Sequence, residues 1–154
     1  MGSYFLDTSA IVKRYFPEQG HTWVVTLCGL EQAHFLYIAQ ATLVEVVATI
    51  CRKAREQNIA DEERNALIKR FRQDSQDAYI IWPVTTAIYT TAGDLCRSHK
   101  LRAYDAVQLA CVLELRSETV VSKVASPVFV CADNNLLNIA IAKGLSTENP
   151  NHYA

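Results

Sequence analysis

Short apolar runs alternate with helical patterns along this chain. Four runs of four or five residues are rich in β-branched and aromatic side chains, which is typical of buried strands. The segments between them place apolar residues at i, i+3, i+4 and i+7, the spacing of amphipathic helices. The predicted strands are residues 3–6, 35–38, 79–82 and 127–131. The alternation predicts an α/β fold, a three-layer α/β/α sandwich with a mostly parallel central sheet.

The helical segments carry start and stop signals. We expect Thr8 or Ser9 to cap the first helix and Pro17 to end it. Gly144 is well placed as the residue after the last helix, and a short edge strand at 145–147 follows. Residues 1–149 are predicted to form one domain, with 150–154 as a C-terminal tail. Other helices are predicted over 23–30, 41–55, 62–77 with Asp61 as cap, from Thr85 or Thr86 to His99, from Asp105 onward, and over 136–143.

Composition narrows the class of protein. The chain has 154 residues, enough for one domain with a real core. It has no apolar run of about 20 residues and no basic segment typical of a signal peptide, so we expect a cytoplasmic protein without a membrane partner. Its five cysteines form no C-x-x-C pair, which favours buried free thiols over a zinc site. The net charge of −1 gives no overall electrostatic attraction for nucleic acid, so any binding of nucleic acid must depend on local basic clusters.

Four acidic residues stand where a charge is unfavourable. Asp7 and Asp133 each follow an apolar strand. Glu45 is flanked by leucine and valine, and Asp105 precedes a largely apolar run. An unpaired buried carboxylate is costly, so each of the four needs a partner.

Each acid also has a simple structural explanation. Asp7, Asp105 and Asp133 are plausible helix caps or first-turn acids. Glu45 could pair with Arg52 or Arg55 on its own helix. These alternatives remain open from the residues alone.

Together the four acids suggest a metal centre. Parallel strands end at the same edge of a sheet, where ligands of open α/β sheets bind. Carboxylates gathered there would repel one another and raise their pKa values, and a hard divalent cation with oxygen ligands removes that conflict. Mg²⁺ or Mn²⁺ suits such a site, which is typical of phosphodiester hydrolysis.

The chain resembles the PIN-domain ribonucleases, and most closely the VapC-type toxins of toxin–antitoxin pairs. The resemblance runs nearly end to end and rests on four motifs in order. They are Leu6-Asp7-Thr8-Ser9-Ala10 with its continuation to Glu18, Thr42-Leu43-Val44-Glu45-Val46, Leu101 to Ala110 around Tyr104-Asp105-Ala106, and Asp133-Asn134-Asn135-Leu136-Leu137.

This resemblance implies a Mg²⁺- or Mn²⁺-dependent endoribonuclease. Its metal would be held by four catalytic acids, Asp7, Glu45, Asp105 and Asp133. Thr8, Ser9 and Asn135 would support these acids without themselves binding the metal. The resemblance also implies RNA substrates such as tRNA, a homodimer, and a small antitoxin that occupies the active-site groove.

Two positions depart from the family pattern. Many relatives carry a hydroxyl residue before the fourth acid, where this chain has Ala132. Many carry a further acid two residues after it, where this chain has the neutral oxygen donor Asn135. A second metal ion would therefore be held more weakly.

Basic residues near the acids are candidate contacts for RNA phosphates. They are Lys13, Arg14, Arg97, Lys100 and Arg102.

Two other functions stay open: a catalytically idle PIN scaffold that binds RNA or protein, and a phosphotransferase with an aspartate nucleophile. The latter is disfavoured because Ser9 stands where such enzymes carry a second aspartate.

Overall fold

Five parallel strands form a single sheet in the computed structural model, which describes residues 1–154. The strand order is β3-β2-β1-β4-β5, and every neighbouring pair is parallel. The predicted α/β/α architecture is confirmed, and the sheet is parallel throughout. The strands are β1 Ser3–Leu6, β2 Phe35–Ala39, β3 Ile80–Trp82, β4 Val128–Val130 and β5 Ser146–Glu148.

Helices cover both faces of the sheet and enclose two apolar cores. Phe5 and Phe129 lie in the core beneath α5, α6 and α7, whereas Leu6 and Val130 lie in the core beneath α1 to α4. This division follows from the alternation of side chains along each strand. No helix combines the length and apolar character needed to cross a membrane. The helices are α1 Thr8–Ile11, α2 His21–Leu27, α3 Thr42–Glu56, α4 Asp61–Asp77, α5 Thr86–Ser98, α6 Ala103–Val121 and α7 Asn134–Ala142.

Several helix starts differ from prediction. Asp7, not Thr8 or Ser9, is the N-cap of α1. Asp61 is the first residue of α4 rather than its cap, and its carboxylate pairs with Arg64 at 3.2 Å. Other boundaries agree closely: Thr85 caps α5 by accepting a hydrogen bond from the Ile88 N–H, and Gly144 follows α7 with φ of 83°.

Residues after β5 pack back onto the domain. Pro150–His152 form a 3₁₀ turn, and Tyr153 stacks on Trp23 of α2 with ring centroids 4.7 Å apart. Gly20, the residue before α2, has φ of 85°, and a Cβ there would collide with the Pro150 carbonyl. The predicted tail over 150–154 therefore lies against the start of α2.

We expect Gly20→Ala to destabilise the protein by about 1–3 kcal/mol. Alanine disfavours the left-handed conformation, and its methyl group would displace Pro150. Gly93→Ala is the matched control, since Gly93 lies within α5 with open space around its Cα; it should stabilise by about 0.5–1 kcal/mol. Denaturant titration of both variants measures the difference, and equal effects would contradict this account of the C-terminal turn.

Candidate active site

The first and fourth predicted acids lie at the carboxyl end of the sheet, after two neighbouring strands. Asp7 follows β1 and Asp133 follows β4, which are paired neighbours. The Asp7 N–H donates to the Val130 carbonyl at 2.9 Å. Ser9 Oγ accepts from the Ala132 N–H at 3.0 Å and donates to Asp7 Oδ2 at 2.5 Å. Ser9 thus joins the two strand ends and supplies a hydroxyl beside Ala132.

Asp7 is a buried carboxylate with an unusual protonation equilibrium. Its side chain caps α1 by accepting from the Ser9 N–H at 3.1 Å, and the residue is only 3% exposed. Burial raises the pKa of Asp7 to about 6, and the nearby charges of Asp105 and Glu45 add to that rise. The hydrogen bonds from Ser9 oppose it. Asp7 therefore caps α1 and also belongs to a cluster of carboxylates.

Glu45 lies in the first turn of α3 and lines the same cavity as Asp7. Its Oε1 accepts from Thr8 Oγ1 at 3.1 Å and from Gln108 Nε2 at 2.9 Å. Burial raises its pKa, the two hydrogen bonds lower it, and the charge of Asp105 raises it again. The alternative pairing is wrong, because Arg52 pairs with Glu56 instead. Arg55 forms no ion pair with Glu45 either.

Gln108 is a site residue that the sequence analysis missed. It is fully buried in α6, and its Nε2 also donates to Thr42 Oγ1 at 2.7 Å, while its Oε1 has no protein partner. Its buried amide therefore holds the side chains of Glu45 and Thr42 in place by donating hydrogen bonds to both. One signal was present: Gln108 is the sole polar residue in the apolar run 106–113.

Arg102 bridges the other two acids. It is the N-cap of α6, three residues before Asp105. Its Nε lies 3.2 Å from Asp105 Oδ2 and its Nη2 lies 3.6 Å from Asp133 Oδ2. Burial raises the pKa of Asp105, the charge of Arg102 lowers it, and Asp133 raises it. Asp133 also caps α7 by accepting from the Leu136 N–H at 2.9 Å.

All four acids line one cavity of about 460 Å³. Thr8, Ser9 and Arg102 line it as well. Asn135 does not: its side chain donates to the Lys100 carbonyl at 2.9 Å. The structure therefore brings the four acids and the two hydroxyl residues together, whereas Asn135 lies apart.

The predicted RNA contacts divide into two groups. Lys13 is buried and pairs with Glu18, and Arg14 donates to the Tyr79 hydroxyl at 2.8 Å. Neither lines the cavity. Arg97 and Lys100 are exposed but also lie outside the lining, so Arg102 is the sole member of the predicted set that borders the cavity.

The donor set suits a hard divalent cation, although the site is not arranged as a closed ligand shell. No three Asp, Glu, His or Cys side chains are placed so that they could hold one ion. The groups are nevertheless all oxygen donors, and their charges raise one another's pKa values. A cationic guanidinium already stands between Asp105 and Asp133. The chemistry of the donors therefore fits a hard divalent cation once the side chains rearrange.

Sequence comparison identifies the domain type. The family model of the PIN domain matches residues 4–126. No curated protein matches the sequence. The matched segment contains three of the four acids, and the fourth lies seven residues beyond its end.

Solved structures resemble the whole chain. FitAcB from Neisseria gonorrhoeae has a TM-score of 0.63 at 17% identity, covering 99% of both chains. VapBC2 from Rickettsia felis, bound to a promoter DNA fragment, has 0.58 at 13% identity, covering 97% of this chain and 98% of that one. A toxin–antitoxin complex from Klebsiella pneumoniae has 0.58 at 14%, covering 96% and 98%. At these identities the likeness establishes the fold.

The family match covers most of the chain, and the fold and the order of acids agree with it. The chain therefore belongs to the PIN-domain family.

Proposed function

We propose that this PIN domain is a metal-dependent endoribonuclease and the toxin of a toxin–antitoxin pair. The observation that carries the proposal is the single cavity onto which Asp7, Glu45, Asp105 and Asp133 converge. Family membership supports a nuclease. Purified protein should cut RNA in the presence of Mn²⁺ and stop when a chelator is added.

In this proposal the four acids hold Mg²⁺ or Mn²⁺. The bound ion would activate water and neutralise charge on the phosphodiester. Arg102 would have to leave Asp105 and Asp133 for these carboxylates to turn toward the ion. Since its side chain is 82% exposed, Arg102 can move readily and then contact the substrate phosphate.

The chain's own residues keep the ligands in place and ionised. Ser9 stabilises the charged form of Asp7 through two hydrogen bonds. Thr8 and Gln108 do the same for Glu45. Residues that orient ligands in this way commonly affect metal affinity or activity 10- to 100-fold (about one to two orders of magnitude).

The partners are proposed from the similar structures. Two of these are a VapBC2 assembly and a toxin–antitoxin complex, and the likeness extends over 96% or more of this chain. We therefore propose a small antitoxin that covers the cavity. Family membership leads us to propose a homodimer as the assembled form. RNA such as tRNA is the proposed substrate, and the cytoplasm is the proposed location.

Asp7→Asn should lower Mn²⁺-dependent RNA cleavage by more than about 100-fold, because it removes a ligand rather than a supporting residue. Asparagine still caps α1 and spares the cost of burying a charge, so the variant should fold. Asp94→Asn is the matched control, since exposed Asp94 lies on α5 outside the cavity. Full cleavage by Asp7→Asn would overturn the proposal, and calorimetry without Mn²⁺ binding to the wild type would favour an idle scaffold.

The raised pKa of Asp7 predicts a pH-dependent stability. Between about pH 4 and 6 the folded state holds a proton that the unfolded state has released, so stability falls as pH rises. The Asp7 contribution to this fall is about 3 kcal/mol, from a pKa of about 6 against 3.8. Denaturant titrations of metal-free wild type and Asp7→Asn measure it as the difference in slope. Parallel pH profiles would contradict the assignment.

Gln108→Leu should reduce cleavage about 10- to 100-fold while the chain stays folded, because Glu45 loses its amide donor and leucine fills the buried space. Mn²⁺ affinity, measured by calorimetry, should fall in parallel. Gln73→Leu is the control, since exposed Gln73 lies on α4 outside the cavity and donates its side-chain hydrogen bond to Asp77. Unchanged Mn²⁺ affinity in Gln108→Leu would contradict the positioning role.

A further inference from the structure

We propose that Arg52 binds a backbone phosphate of the RNA beside the one that is cut. Arg52 lines the same cavity as Arg102 and was not among the candidate phosphate contacts of the sequence analysis. The inference rests on the proposed ribonuclease function, since it assigns a subsite to that same cavity.

One face of α3 connects Arg52 to the acids. Glu45, Thr49 and Arg52 are spaced at i, i+4 and i+7, so they lie on the same side of the helix. All three line the cavity. At 1.5 Å per residue, Arg52 lies about 10 Å along the helix axis from Glu45. A separation of this size fits contact with a neighbouring phosphate rather than with the scissile one.

Three charged residues, Lys13, Glu18 and Lys53, form a group with a net positive charge, and Lys53 follows Arg52 along the chain. Glu18 accepts from Lys53 Nζ at 2.8 Å and from Lys13 Nζ at 3.3 Å, so two ammonium groups share one carboxylate. Burial would raise the pKa of Glu18, but the hydrogen bond from Lys53 and the charges of both lysines lower it. This group therefore keeps an excess positive charge, which favours an anion next to it.

Of the two cationic residues that α3 contributes to the cavity, Arg52 rather than Lys53 is free to bind a ligand. Its side chain is 61% exposed, and its ion-pair partner is Glu56, which is 62% exposed and 3.8 Å away. Surface pairs of this kind hold weakly. Lys53 differs, because it is 18% exposed and its ammonium lies 5.3 Å from the Phe16 ring centroid. A guanidinium also matches phosphate geometry with two parallel donors.

The cavity therefore has two kinds of lining. The carboxylates are grouped around Asp7, whereas Arg52 and Lys53 lie farther along α3, beyond Glu45. When no metal ion is bound, an RNA strand would be repelled by the carboxylates and attracted to Arg52. An RNA strand crossing the cavity meets Arg52 next to the acids, which sets its position for cutting.

RNA binding by matched variants tests the subsite. A fluorescently labelled single-stranded RNA is titrated in chelator, with Asp7→Asn in every protein so that no strand is cut. Arg52→Gln should bind about five- to tenfold more weakly and lower the slope of log K against log salt by about 0.7. Arg55→Gln is the control, since exposed Arg55 lies on the same helix outside this cavity. Arg52→Lys should keep the salt slope.

The outcomes separate this inference from the proposed function. Weaker binding by Arg52→Gln than by Arg55→Gln supports the subsite, even if the wild type fails to cleave RNA with Mn²⁺. Equal binding by the two variants overturns it, whether or not the wild type cleaves. If the wild type neither binds nor cuts RNA, both proposals are overturned. Unchanged melting temperatures confirm that the variants differ in binding and not in folding.

Discussion

The burial of one charge shapes the active end of this protein. Asp7 is nearly inaccessible to solvent, and Glu45 and Asp105 place like charges near it. Such an arrangement is unfavourable unless hydrogen bonds or a cation compensate. The short hydrogen bonds from Ser9 and the guanidinium of Arg102 provide part of that compensation. The divalent cation proposed for this site would relieve the repulsion that remains.

The compensating groups also tie the layers of the fold together. Ser9 connects the ends of β1 and β4, because it bonds to Asp7 and to the backbone of Ala132. Thr8 and Gln108 connect α1 and α6 to Glu45 on α3. Rigid placement of a charged site follows from these bonds, since they join carboxylates that are carried by different elements. The same fold therefore stabilises both the core and the geometry of the site.

Charge is distributed unevenly around the cavity. The acids are grouped where the strands end, whereas Arg52 and Lys53 lie farther along α3. The small net charge of the chain hides this separation. A negative substrate is better guided by such a local gradient than by overall charge, because solvent screens distant charges within about 10 Å.

The hydrophobic pattern was sufficient to predict the parallel α/β sheet, and with it that Asp7 and Asp133 follow strands that end at one edge, because parallel strands end at one edge whatever follows them. It also placed Glu45 on a helix. The direction of helical side chains was decided by tertiary packing: Gln108 turns toward Glu45, and Lys13 is buried with its ammonium beside Glu18. A period of 3.6 residues defines which residues share a face, but only the neighbouring elements determine what that face contacts.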